Sequence, residues 1–390
     1  MITVDTALGH LFSLVPPVVA ETVALAEAAG RVLAADAVAR RDQPPFAASA
    51  MDGYALKSAE ARPGAHFAVI GEAAAGHRFG GALGAGQAVR IFTGAPVPEG
   101  ADRVVMQEDV TRDGDRITLG EGIGAGTHIR ARGTDFTVGQ RVGAPRLLCP
   151  ADIALLAAMN VARLRVARMP DVALISTGDE LVMPGEDPGP DQIIASNTFG
   201  LKAMLERAGA RARILPIARD SDAGIGAAFD LARGADLVVT IGGVSVGDYD
   251  LVGGVAVARG MQRAFYKVAM RPGKPLMAGR MDGAPMVGLP GNPVSAMICG
   301  HVFVVPMIRA MLGLGTAPAP RRSALLACDL PQNGPREHYM RARLDDSGIT
   351  PDPQQDSAVL TVLAAADALL IRPAGDAPRK AGERVEYLPL

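Results

Sequence analysis

The sequence predicts a multidomain protein: a central, doubly wound, mostly parallel α/β domain, a β-rich domain inserted near the N-terminus, and a small C-terminal β-barrel. Three observations lead there. The chain has 390 residues, too many for one ordinary domain. Between 170 and 312, strand-like apolar runs alternate with helix-like runs, the pattern of a parallel sheet covered on both faces. On either side, short apolar runs sit between glycines and prolines, the spacing of small β units.

Composition narrows the function. With 39 basic and 41 acidic side chains the formal net charge is −2, which argues against a broad nucleic-acid or membrane-surface patch. Any anionic ligand must then be held by a local site. Hydrophobic residues make up 49 %, enough for several cores. Cys149, Cys299 and Cys328 match no zinc or CxxC spacing and read as small core residues in a reducing compartment. The N-terminus lacks a signal-peptide pattern, and no apolar run approaches the ~20 residues of a membrane span. A soluble, cytoplasmic protein is expected.

Along the chain, TVDTALGHLFSL (3–14) puts Val4, Leu8, Leu11 and Phe12 on one helical stripe. Helix formers continue through 21–40, until Pro44-Pro45 breaks the pattern. Residues 1–40 and 136–168 form an N-terminal linker and helical region flanking the β-rich insert, 41–135. Within that region ADIALLAAMN (151–160) reads as helix and VARLRVAR as strand. The α/β domain spans 169–318. Its strands are DVALIST, ARILPIA, ADLVVTIGG, RAFYKVAM and PMVGLPG. Its helices are NTFGLKAMLERAGA, with Asn197 as cap, SDAGIGAAFDLARG, LVGGVAVARG and NPVSAMICGHVFVVPMIRAML. After the linker GLGTAPAPRRS, residues 319–390 supply barrel strands SALLACDL, ALLIRP and ERVEYL.

Right-handed crossovers place the strand C-terminal ends on one rim, where open α/β sheets bind ligands. TIGGVSVGDYD (240–250) lies there; Gly242, Gly243 and Gly247 let main-chain N–H groups face an anion. It is neither a Walker A loop nor a GxGxxG fingerprint, and a plain βα turn explains it about as well. Asp236, Asp248 and Asp250 read as caps or solvated charges, or together as carboxylates for magnesium beside a phosphate. STGDEL (176–181) offers Thr177, Asp179 and Glu180, with helix capping by Asp179 an equal reading. In LPGNPVSA (289–296), Asn292 suits an N-cap and Pro293 the first helical position, leaving N–H groups for a ligand. Lys267, Arg271 and Lys274 form an exposed basic loop or an oxyanion clamp. The N-terminal half adds SAMDGYA, TGAPVPEGAD and RARGTDF, in which Asp52 beside Gly53 reads alone as a turn. Scattered histidines and the lack of a GxSxG elbow point to neither zinc nor a covalent nucleophile.

Six motifs in this order, SAMDGYA, TGAPVPEGAD, STGDEL, GGVSVGDYD, RPGKP and LPGNPVSA, resemble the molybdopterin molybdenumtransferase family, which includes the E domain of gephyrin. The resemblance covers nearly the whole chain. It implies an L-shaped cytoplasmic homodimer that combines adenylated molybdopterin with molybdate, using magnesium, to give molybdenum cofactor and AMP. By motif it assigns Asp52, Thr93, Asp135, Glu180, Asp236 and Asp250 as catalytic, with Glu180, Asp236 and Asp250 on magnesium. Lys267, Arg271 and Lys274 would hold oxyanions, with Gly242, Gly243, Ser245, Pro290, Gly291, Asn292 and Pro293. It further implies a cleft between the α/β domain of one subunit and the N-terminal regions of the other. Partners would be the adenylyltransferase and molybdoenzyme-maturation proteins, with no nucleic acid or membrane. The chain departs from the family at Ala47-Ala48, Ile241, Arg271 and RGTDF, where Asp135 is the lone carboxylate. Two other readings are an adenylyltransferase, whose fold matches only 170–312, and a peptide-binding scaffold.

Overall fold

The structure is a computed structural model that describes residues 1–243 and 251–390. It contains two compact units: Met1–Glu21 with Gly30–Ala34 and Val166–Leu390, and Thr22–Ala29 with Ala35–Arg165.

In the larger unit a six-stranded sheet comprises β1 (Asp171–Ser176), β2 (Arg211–Ile214), β3 (Leu237–Ile241), β4 (Gln262–Tyr266), β5 (Met277–Met281) and β6 (Ala284–Leu289), in the order β2-β1-β3-β6-β5-β4. The pairs β1–β2, β1–β3 and β3–β6 are parallel, whereas β5 is antiparallel to both its neighbours. All five residues of β3 are buried. Alternation along β1 sends Val172 and Leu174 to one apolar cluster and Ala173 and Ile175 to another. The first cluster holds Leu201 and Leu205 of helix Asn197–Arg207, Ile298 and Val302 of the run from Pro293, and Leu8 and Leu11 of the N-terminal helix. The second holds Ile225 and Phe229 of helix Asp222–Ala232 and Val252 and Val255 of helix Leu251–Ala258. Covering both faces makes the sheet doubly wound, as expected.

β5 was not anticipated from the sequence. It enters a two-residue hairpin at Asp282-Gly283, both with positive φ (50° and 83°), the backbone that an Asp-Gly pair adopts in a tight turn between antiparallel strands.

Pro293–Met311 is the one helical run among the described residues long and apolar enough to cross a membrane, and 78 % of it is buried in the protein. A π turn at Gly300–Val304 precedes Pro306, whose ring would clash with the carbonyl four residues back in a regular helix.

The C-terminal region of the same unit lines up Met270–Arg271, Glu337–Asp345, Ala368–Arg372, Arg384–Pro389 and Arg322–Leu325, with Gly348–Pro351 paired to Glu337–Asp345. A bridge between Leu326 and Ile349, with Ala327 N–H donating to the Ile349 carbonyl at 3.0 Å, closes this into a small barrel. Leu326, Ala342, Ile349, Leu370 and Val385 fill it.

The smaller unit is built on a second six-stranded sheet ordered Arg103–Met106, Gly53–Leu56, Gln87–Ile91, His66–Ala73, Arg116–Leu119, Val110–Asp113. Tyr54, Leu56, Phe67 and Ile117 pack on one side, Ala55, Val89, Ile91 and Val104 on the other. The helix expected over 21–40 is absent: these residues form short strands at Ala20–Ala24, Val32–Leu33 and Ala37–Val38 around one 3-10 turn. Gly30 takes a positive φ of 74° there, and strand pairing overrides the helix propensity of the alanines.

Candidate active site

The loops after β1, β3 and β6 leave the same edge of the sheet and approach at backbone distance. Thr177 N–H donates to the Ile241 carbonyl at 3.1 Å, and Gly242 N–H to the Leu289 carbonyl at 3.1 Å. Gly242 and Gly243 have φ of 90° and 64°. A Cβ on Gly242 would stand 2.8 Å from the Thr177 carbonyl oxygen, and one on Gly243 2.3 Å from Val252 Cγ2. Glycine is therefore required at both positions, sterically and conformationally. One on Gly291 would lie 3.5 Å from Gly242 Cα, so the third loop joins them.

These loops enclose a cavity of about 580 Å³, to which Glu180, Gly242, Gly243, Pro290, Gly291, Asn292 and Pro293 all contribute. Seven residues picked from sequence thus meet at one place. It sits outside the carboxyl ends of β1 and β3, where the strand order reverses.

The cavity also receives Asp220, which sequence reading passed over. Its signal was present: ARILPIA ends at the same rim, and Asp220 follows it. Burial, then the charges of Asp179 and Glu180, raise the Asp220 pKa above the ordinary aspartate value. Asp179 itself caps no helix; its carboxylate accepts from Asp220 N–H at 3.3 Å and lies 3.9 Å from Arg219. The Thr177 hydroxyl is buried at this rim and has no hydrogen-bond partner among the described residues, and the same holds for that of Thr240.

Two expected caps do other work. Ser196 takes the cap position of helix Asn197–Arg207, and Asn197 Nδ2 instead donates to the Gly291 carbonyl at 2.7 Å. Asn292 does occupy the position before Pro293, but its Nδ2 donates to Ser357 Oγ at 3.2 Å rather than closing on the helix. Val294 N–H donates to the Ser357 carbonyl at 3.0 Å, so the C-terminal segment borders the cavity, and Ala358 lines it.

Asp236 must be corrected. It precedes β3, and five residues at ~3.3 Å each put it roughly 16 Å from the rim. Its carboxylate accepts from Arg168 at 2.6 Å and from Asp171 N–H at 2.8 Å. Burial pushes its pKa up, but those two donors outweigh it and hold the carboxyl below the usual range. Asp236 thus anchors the start of the strand and does not reach the rim where it was expected to hold magnesium.

The basic loop leaves the end of β4, yet none of its three cations lines the cavity; Pro275, next to Lys274, does. The Lys267 ammonium sits 4.8 Å from the Tyr266 ring centre. Arg271 is exposed on a short strand paired with Glu337 and His338. Ser245, Asp248 and Asp250 lie outside the described residues. Among the described residues no three His, Cys, Asp or Glu side chains are grouped to hold a metal.

In the smaller unit, Asp52 Oδ1 accepts from both Thr93 N–H at 2.7 Å and Thr93 Oγ1 at 2.8 Å. The Thr93 N–H and then its hydroxyl hold the Asp52 pKa below the ordinary value, so the carboxylate stays charged. The structure thus joins SAMDGYA to TGAP. Arg90 stacks on Tyr54 and Phe92, with centroids 5.2 and 4.6 Å away, and donates to the Gly53 carbonyl at 3.2 Å. Asp135 is exposed; its N–H donates to the Gln43 carbonyl at 2.9 Å, and its side chain makes no hydrogen bond to Asp52 or Thr93.

Comparison with known proteins adds three matches along the chain: the MoeA N-terminal region (domain I and II) over residues 2–160, a probable molybdopterin binding domain over 173–310, and the MoeA C-terminal region (domain IV) over 323–390. A molybdopterin molybdenumtransferase of Haemophilus influenzae is 39 % identical over 319 residues, covering 80 % of this chain and 78 % of its own. Molybdopterin molybdenumtransferase 2 of Mycobacterium tuberculosis is 40 % identical over 342 residues, 84 % of each chain. A crystal structure of the molybdopterin biosynthesis MoeA protein from Pyrococcus horikoshii superposes with a TM-score of 0.85 over 100 % of both chains at 26 % identity.

Proposed function

The chain belongs to the MoeA family of molybdopterin molybdenumtransferases, and from that premise we propose that it inserts molybdate into adenylated molybdopterin, releasing AMP, with magnesium bound at the rim. It is a transferase of molybdenum cofactor biosynthesis. The observation that carries the finer reading is the convergence of the Thr177, Gly242-Gly243 and Gly291 loops on one cavity with Glu180 and Asp220.

The pieces suit a phosphate-rich substrate. Main-chain N–H groups at glycines can meet phosphate oxygens without an intervening side chain. Magnesium needs only one or two carboxylates and keeps several waters; Glu180 and Asp220 would be its donors, and the Thr177 hydroxyl would be a further oxygen at hand. When bound, the ion neutralises charge developing on phosphate oxygens. Glu180 and Asp220 would orient it, while the glycine loops hold the phosphoanhydride in register. Asp52, kept ionised by Thr93, Asp135, and the three cations of the basic loop remain proposed site residues, and the chain is proposed to act as a cytoplasmic homodimer.

The test is molybdate-dependent AMP release from adenylated molybdopterin by the purified protein, with and without magnesium. Release that requires both ions supports the reading. Formation of adenylated pterin from ATP and molybdopterin, without molybdate-dependent release, overturns it in favour of an adenylyltransferase.

A further inference from the structure

Beside the glycine-rich cavity lies a second of about 580 Å³, and Ser196 and Asn197 belong to the walls of both. Its character is different. Met204 and Arg207 reach it from helix Asn197–Arg207, Met297 and His301 from the helical run starting at Pro293, and Leu363 and the C-terminal Leu390 close the far side. Close helix packing fixes this groove. A Cβ on Gly200 would stand 2.8 Å from Met297 Sδ, and one on Gly300 would stand 2.7 Å from Leu201 Cδ2. Asn197 to Arg207, ten steps of ~1.5 Å, set a trough about 15 Å long, the scale of a small-molecule site.

Among the described residues that line the groove, Arg207 carries the one charged side chain. Arg207 is exposed and makes no hydrogen bond or ion pair with a described residue, whereas Lys202 and Glu206 on the same helix pair with each other. Burial, reinforced by the Arg207 charge, lowers the His301 pKa to about 4, so its ring is neutral at pH 7. An unpaired guanidinium at one end of an apolar trough complements one kind of molecule.

We propose that this groove binds an apolar molecule bearing one anionic group, the anion on Arg207 and the apolar body against Met204, Met297 and Leu363. The site is separate from the one that handles the phosphoanhydride. Asn197 stands in the shared wall, and its amide holds the Gly291 carbonyl at 2.7 Å. An occupant therefore touches the residue that fixes the Leu-Pro-Gly-Asn-Pro loop.

Two fluorescent probes of similar body test this on the intact protein: 8-anilinonaphthalene-1-sulfonate, with one negative charge, and uncharged N-phenyl-1-naphthylamine. The chain has no tryptophan, so protein emission does not interfere. Both probes are expected to titrate one saturable site per chain. Arg207→Ala weakens the sulfonate roughly tenfold while the neutral probe changes less than about twofold, the signature of one charge-assisted contact. Ala203→Trp, at an exposed position lining the groove, blocks both probes with an unchanged circular dichroism spectrum. Wild-type titrations in the Ala203→Trp protein, or equal effects of Arg207→Ala on both probes, would overturn the proposal. Neither readout depends on pterin turnover, so it stands or falls separately from the proposed reaction.

Discussion

The two ends of β3 carry similar residue types and opposite states of satisfaction. At its start, Asp236 has donors on both carboxylate oxygens, from Arg168 and from Asp171 N–H, and nearby Arg213 donates to Asp171 at 3.0 Å. At its finish, Asp220 faces two other acids, the Thr177 hydroxyl has no partner among the described residues, and glycines keep side chains away from the backbone. A folded protein closes its polar groups where nothing else will meet them. Groups left open at a rim that also holds a cavity mark a candidate place for a ligand, at some cost to stability. Glu180→Gln tests this most forcefully. On the proposed role of Glu180 as a magnesium donor, removing its carboxylate should lower AMP release by about a hundredfold, because the charge formed in the transition state would lose its counter-ion. The melting temperature should move by no more than a degree or two, because Glu180 makes no side-chain hydrogen bond or ion pair with a described residue. Loss of activity in proportion to loss of folded protein would erase the distinction.

The closed end should respond in the reverse sense. Asp236→Asn leaves Arg168 without its anion and is expected to cost about 1–2 kcal/mol of stability, a partly exposed, charge-assisted pair. Turnover per folded molecule should stay within about twofold of the parent. Chemical denaturation with parallel AMP-release assays measures both. A hundredfold fall in turnover at unchanged stability would return Asp236 to the active site.

Thr177→Val sharpens the contrast at the scale of one group. Replacing an unpartnered buried hydroxyl with a methyl is expected to leave stability unchanged or raise it by up to about 1 kcal/mol. Turnover should nevertheless fall, by roughly tenfold if the hydroxyl meets substrate or its metal. A stability loss above ~1 kcal/mol would show that the hydroxyl is satisfied in the folded state.

The same contrast explains what could be read from the sequence. Alternating strand and helix runs revealed the α/β domain because burial on both faces leaves continuous apolar strands such as Leu237–Ile241. Gly-Gly and Pro-Gly at strand ends revealed the rim, since only glycine satisfies the close approaches at 242 and 243. Asp236 was misplaced because it stands six residues from Gly242 in sequence, and those residues form a fully extended strand. Asp220 escaped notice because β2 is short and only partly buried. Strand Glu337–Asp345 was masked by its charges: Arg341 is 1 % exposed, with its guanidinium satisfied by Gln355 and by the carbonyls of Gln354, Asp356 and Val359. The Asp282-Gly283 hairpin was legible and was missed.

The smallest effect separates the two ends by the sign of their pH dependence. Asp236 has a lowered pKa, so its contribution to stability is present above the unfolded value of 3.8 and is lost as pH falls through the folded value. Asp220 has a raised pKa, so its ionisation costs stability above the folded value, and that cost vanishes below 3.8. Asp220→Asn should therefore stabilise the protein at pH 7, by no more than a few tenths of a kcal/mol because solvent screens a carboxylate that is only partly desolvated. The gain should fade as pH drops below 4, while Asp236→Asn shows the opposite trend over the same range. Differential scanning calorimetry from pH 3 to 7 resolves the two slopes. Parallel slopes would mean that the rim acids are already paired in the folded protein, and the open end of β3 would then have nothing left to offer a metal.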